Sequence, residues 1–167
     1  MDLTPYLRWI VFLHVAGVFA FAAGHGVSMF VAWRVRNEPD RARLAALLDI
    51  SGVSLGVAGI GMLVLLISGI LAGIVANDFG KAWLWVSLAL FLVIGGVMTP
   101  IGSAYLSRLR AAIGQRTRNL KAGDPDPVPV SDDELAAVRA SRAPDQLLAI
   151  GGGGFLVILY LMMFRPF

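Results

Sequence analysis

Four stretches free of Asp, Glu, Lys and Arg, each at least 18 residues long, decide what this chain can fold into. They cover residues 9–33, 50–76, 82–106 and 147–164. About 20 apolar residues in a helix cross the hydrocarbon of a bilayer. Inside hydrocarbon a helix satisfies its own backbone, which loops and open sheets cannot do. The expected fold is therefore all-α: one membrane domain over residues 1–167, built as a four-transmembrane-helix bundle. Charged residues make up 15% of the chain, against about 25% in soluble domains, and they gather between the runs. The first run is longer than the apolar core of a signal peptide, so it reads as a retained span. Trp9 and Trp33 stand at its ends, where aromatic belts belong.

Lys and Arg set the orientation. The loops at residues 34–49 and 107–146 hold eleven, and the opposite side holds Arg8, Lys81 and Arg165. The positive-inside rule puts both loops in the cytoplasm and both chain ends outside, in a bacterial cytoplasmic (inner) membrane. A short amphipathic helix is expected at residues 39–49, with Leu44, Leu47 and Leu48 as its stripe. Residues 107–121 read as a basic continuation of span three. Ser131 and Glu134 make a capping box that starts another short helix. Residues 77–81 are a tight turn that makes spans two and three a hairpin. The loop arginines are expected to meet anionic lipid head groups. The net charge of +3 belongs to these flanks, and no aromatic-basic interleaving suggests nucleic acid.

The chain has no Cys, which excludes disulfides, thiolate metal sites and thioether-linked haem. No nucleophile–base–acid set, phosphate loop or zinc motif is present, so nothing in the sequence points to an enzyme. The spans carry no acid, which removes the usual parts of a proton-coupled pump.

What remains is His14 and His25, both inside span one. Ionisable groups at membrane depth are costly and mark functional candidates. Eleven residues apart, they lie about 20° apart around the helix and about 16 Å apart along it. Histidines so placed on one helix suit two stacked haems of the b type, each needing a partner ligand from elsewhere. Level-matching the spans puts Met98, Gly59, Gly151 and Gly152 beside His25, with Gly95 and Gly96 within a turn. Methionine is a haem ligand. The same reckoning puts Ser87, Ile70 and the turn at 160–162 beside His14, where Tyr160 could bond its ring.

Each feature has a bland alternative. An intramembrane His can simply bond a neighbouring helix, and Met98 can be packing. Gly52 with Gly56, and Gly69 with Gly73, are small-xxx-small pairs that let helices approach. Met162 and Met163 suit Cu(I) but point apart on a helix. Pro100 frees the Gly96 carbonyl, which Thr99 or Ser103 could satisfy.

The stretches Leu13-His14-Val15, Gly24-His25-Gly26-Val27-Ser28, Leu48-Asp49-Ile50-Ser51 and Val130-Ser131-Asp132-Asp133-Glu134-Leu135 resemble an uncharacterised bacterial family of small predicted integral membrane proteins. That family is distantly similar to the copper-resistance protein CopD and to membrane proteins related to haem-dependent protoporphyrinogen oxidase. The resemblance implies a haem or metal role for His14 and His25. The oxidase-like relatives also use a basic partner in a later span, and no span here has one. Three expectations follow: a haem b protein for electron transfer or a redox complex, with His25, His14 and Met98 binding the cofactor; a non-enzymatic accessory subunit of a membrane complex; or a small copper transporter using His25 and His14. A homodimer is expected to help the first by pairing His25 with its own copy.

Overall fold

The computed structural model describes residues 3–117 and 120–167. Arg118, counted above among the cytoplasmic cations, lies outside the described residues. The described residues form helices and no strand, with α1 (Leu7–Arg34), α2 (Arg41–Val75), α3 (Ala82–Ala112), α4 (Asp132–Arg139), α5 (Ala143–Leu147) and α6 (Gly153–Phe164). A π-helical turn, Leu148–Gly152, joins α5 to α6, so span four is one helix with a wider turn inside it. Four helices are long and apolar enough to cross a membrane. Large apolar side chains such as Phe19, Val53, Ile60 and Leu156 face outward, as lipid for a solvent requires.

The helix expected at residues 39–49 is there as the first turns of α2, which runs unbroken into span two. Asp40 caps it, accepting from the backbone N–H of Ala42 at 2.8 Å and of Arg43 at 3.0 Å. The Arg43 N–H, then the Ala42 N–H, hold the Asp40 carboxyl below its ordinary 3.8. A carboxylate depressed on folding stabilises above its ordinary pKa, and that gain fades as pH falls through the lower folded value. Asp40→Ala is expected to lower Tm at pH 7 and to differ less from the parent near pH 3. Circular dichroism melts in detergent check this.

The basic continuation of α3 is shorter than expected. The helix stops at Ala112, and Gly114 turns the chain with φ +81°. The Gln115 N–H closes the end on the Arg110 carbonyl at 2.8 Å. A left-handed glycine just past a helix is a strong stop signal, and it outweighs the amphipathic pattern beyond it. The capping box at Ser131 forms in both directions.

The spans do not pack evenly. α1 and α2 form the closest pair, along small residues at three- and four-residue spacing. These are Gly17, Gly24 and Ser28 on α1, and Ser51, Ser54, Ala58 and Gly61 on α2. A Cβ on Gly17 would stand 2.6 Å from the Leu65 nitrogen, and one on Gly24 2.6 Å from the Ala58 nitrogen. The glycine pairs singled out in the sequence do other work. Gly52 meets only the Arg110 side chain, Gly56 meets nothing, Gly69 faces His14, and Gly73 faces Leu84 and Phe79. The Ser28 and Ser51 hydroxyls share a 2.7 Å hydrogen bond within the seam. A Ser28→Ala/Ser51→Ala double-mutant cycle in bicelles is expected to give about 0.6 kcal/mol of coupling, typical of polar contacts between membrane helices. A coupling indistinguishable from zero would leave the seam to packing alone.

At the end of the bundle that carries residues 34–49 and 107–146 the loops fold onto the helices. Val31, Val35, Leu44, Leu48, Tyr105, Leu109 and Leu135 form one buried cluster. Most loop arginines also bond protein here. Arg36 bonds Asp145 and the Ser141 carbonyl. Arg41 bonds Asp132 and the Val130 carbonyl. Arg110 bonds Asp49 and the Leu48 carbonyl, and Arg116 bonds Asp126. Acids interspersed in the same loops make this possible. On the opposite side buried Asp78 pairs with Lys81 at 2.6 Å and Arg165 at 3.6 Å. That ties the chain end to the turn between spans two and three.

Candidate functional site

His25 lies one helical turn beyond Phe21, so the two rings stack on the same face of α1. Their centroids are 5.5 Å apart and their planes differ by 9°. Phe91 of α3 meets Phe21 edge-on at 6.4 Å. The stack orients the imidazole toward span four, where the π turn presents Gly151. A Cβ on Gly151 would lie 3.5 Å from His25 Nε2 and 2.9 Å from Met98 Sδ. One missing methyl group therefore marks the point on which an imidazole nitrogen and a thioether sulfur converge, from α1 and α3. Met98 is buried and His25 half-buried.

The π turn matters here. It contains an extra residue per turn and shifts the register of the residues that follow, and such turns recur at functional sites. In this chain it falls at the level of His25. Gly154, one turn further, packs on Ile94 of α3.

His14 goes elsewhere. Its Nδ1 lies 2.7 Å from the Leu65 carbonyl oxygen of α2. A carbonyl can only accept, so Nδ1 carries the proton, and the neutral ring keeps its lone pair on Nε2. Gly69 makes room for the ring, since a Cβ there would stand 2.9 Å from His14 Cε1. Tyr160, expected as the partner of His14, instead packs on Phe164 at 4.9 Å. Ser87 bonds the Trp83 carbonyl. The two histidines thus share a face of α1 but attach to different helices.

Of the residues level-matched to His25, Met98 and Gly151 come to it. Gly59, Gly95 and Gly96 have open space where a side chain would be. Near Pro100, the Thr99 hydroxyl donates to the Gly95 carbonyl at 2.7 Å and that of Ser103 to the Pro100 carbonyl at 3.3 Å. Neither takes the Gly96 carbonyl that the proline frees. Among the described residues no group of three His, Cys, Asp or Glu could hold a metal, so the thioether is what makes a donor pair of His25.

Sequence reasoning missed the buried carboxylates Glu38 and Asp78. Each had a signal, a cation one helical turn away: Arg34 pairs with Glu38 at 2.9 Å, and Lys81 with Asp78.

A family model described as "Predicted integral membrane protein (DUF2269)" matches residues 6–166. No curated protein and no solved structure matches the chain.

Proposed function

The chain belongs to the family of predicted integral membrane proteins (DUF2269), and from that premise we propose that it binds a b-type haem through His25 and Met98. Its role would be to carry electrons within a bacterial cytoplasmic membrane. The observation that carries this reading is the convergence of His25 Nε2 and Met98 Sδ on the notch at Gly151. The donor set fits haem iron, for which His25 would supply an imidazole nitrogen and Met98 a thioether sulfur. When bound, such a haem supplies one-electron chemistry in a site that lipid keeps dry.

The chain's own residues have separate tasks. Phe21 holds the His25 ring in one plane. Gly151, in the π turn, leaves no side chain between nitrogen and sulfur. Met98 supplies a second donor from the same chain, so His25 does not need a second copy. The Leu65 carbonyl keeps the His14 lone pair on Nε2, the atom through which a second cofactor would attach.

The test is the optical spectrum of protein purified after growth with a haem precursor. A Soret band is expected, lost in His25→Ala and kept but altered in Met98→Leu. No band in the parent, either as purified or after haemin addition, overturns the reading. A cuprous ion is the other occupant that an imidazole–thioether pair takes, and metal analysis of the same sample separates the two.

A second reading, an accessory subunit of a membrane complex, has its own support. Gly95, Thr99 and Ser103 lie at four-residue spacing on an exposed face of α3, which would admit another helix at close range. On that reading His25→Ala leaves function unchanged.

A further inference from the structure

The cytoplasmic end of α1 borders two adjoining cavities of unlike chemistry. One, about 410 Å³, is lined by Met29, Phe30, Trp33, Arg34, Asn37 and Leu148. Phe30, Trp33 and Leu148 are exposed on its wall, at the edge of the apolar spans. The other, about 370 Å³, is lined by Arg36, Asn37, Ala136, Arg139 and Ala140. Asn37 lines both, and the Arg36 guanidinium lies 5.8 Å from the centre of the Trp33 ring. An apolar trough open to lipid thus continues into a cationic hollow.

The charges there do not balance. Arg34 pairs with Glu38 at 2.9 Å and Arg36 with Asp145 at 2.6 Å. Arg139 donates from Nη1 to the backbone carbonyl of Glu38 at 2.5 Å and pairs with no carboxylate among the described residues. The Nε atoms of Arg36 and Arg139 are both buried with no hydrogen-bond partner. A buried donor without an acceptor is costly, and more so on a charged group. With Arg36 paired and Arg139 not, the hollow carries excess positive charge, which an anion with several acceptor oxygens balances.

We propose that the two cavities seat one anionic glycerophospholipid of the cytoplasmic leaflet. Its phosphate lies against the guanidinium groups of Arg36 and Arg139 and the Asn37 amide, which line the hollow, and its first acyl segment lies along Phe30, Trp33 and Leu148. The apolar half favours a lipid over a soluble phosphate, because a free anion has no use for it. Paired guanidinium donors are suited to phosphate oxygens. This differs from the diffuse attraction of a basic loop to a charged membrane, for which exposed Arg108, without a partner among the described residues, provides the comparison.

Native mass spectrometry of delipidated protein, titrated with phosphatidylglycerol and with phosphatidylcholine of the same chains, tests the site. The parent is expected to hold phosphatidylglycerol about tenfold more tightly, a difference readily resolved. Arg139→Gln and Trp33→Ala are each expected to lose most of that preference, and Arg108→Gln to keep it. Should Arg139→Gln not fold, because Arg139 also holds the Glu38 carbonyl, Asn37→Leu replaces it with the same expected loss. Three results would overturn the proposal: no preference in the parent, equal loss in Arg108→Gln and the site variants, or displacement of the lipid by equimolar inorganic phosphate.

Discussion

Gly24→Leu is expected to leave almost no folded protein, while Gly26→Leu, two residues further along the same helix, is expected to behave as the parent does. The contrast follows from what each new side chain would meet. At Gly24 a Cβ would stand 2.6 Å from the Ala58 nitrogen and run into the Ser54 carbonyl oxygen. Both are backbone atoms of α2, held by their own helical hydrogen bonds, so no rotamer change can give way. The two helices would have to separate, and the seam around Gly17, Ser28, Ser51 and Gly61 would open with them. Overpacking against mobile side chains costs about 1–3 kcal/mol, and backbone on the other side raises that. At Gly26 a Cβ meets nothing within 4 Å, and an added Leu enters lipid. Gly61→Leu and Gly59→Leu form the same pair on α2, one against the Phe21 nitrogen and one against open space. Yield of monodisperse protein on size exclusion and Tm in detergent decide the matter. A Gly24→Leu protein with the parent's Tm would mean that the α1–α2 seam does not hold the bundle together.

Gly151→Leu is expected to abolish cofactor binding and to spare the fold. Its Cβ would lie 2.9 Å from Met98 Sδ and 2.5 Å from Met98 Cε, with His25 Nε2 at 3.5 Å. Here the neighbours are the far ends of side chains, so Met98 can swing aside at small cost. What is lost is the meeting of nitrogen and sulfur. Disturbing the groups that position a metal ligand costs about ten- to a hundred-fold in affinity. The Soret absorbance per protein should fall accordingly while Tm stays within a few degrees of the parent. Gly153→Leu, in open space on the same helix, is the control and is expected to keep the band. If Gly151→Leu binds haem as the parent does, the His25–Met98 pair is packing and the haem is held elsewhere.

The two glycine experiments also show where sequence reading stopped. Charge-free runs and clustered arginines identified the four spans, because hydrocarbon rejects charge and unpaired backbone wherever a segment lies in the bundle. The Asn77–Lys81 turn and the Ser131 capping box were legible too, being made by residues next to each other in the chain. The seam was written in the sequence as small residues at three- and four-residue spacing. So many other glycines share the spans, however, that the pairs first noticed, Gly52 with Gly56 and Gly69 with Gly73, were not the ones in close contact. The arginines were visible, but their partners lay up to about a hundred residues away, as Arg36 and Asp145 do.

The candidate site divides in the same way. Span one had only His14 and His25 as ionisable groups, so sequence alone made them the candidates. Level-matching by helix rise brought Met98 and Gly151 to His25, since depth in a bilayer is common to every span. Rotation about the helix axis is not fixed by depth. It depends on how neighbouring helices pack and on the extra residue in the π turn, neither of which is a local property. For that reason only the tertiary structure turned His14 to the Leu65 carbonyl and left Tyr160 against Phe164. It also brought Arg36 and Arg139, from two different loops, to one hollow at the membrane edge.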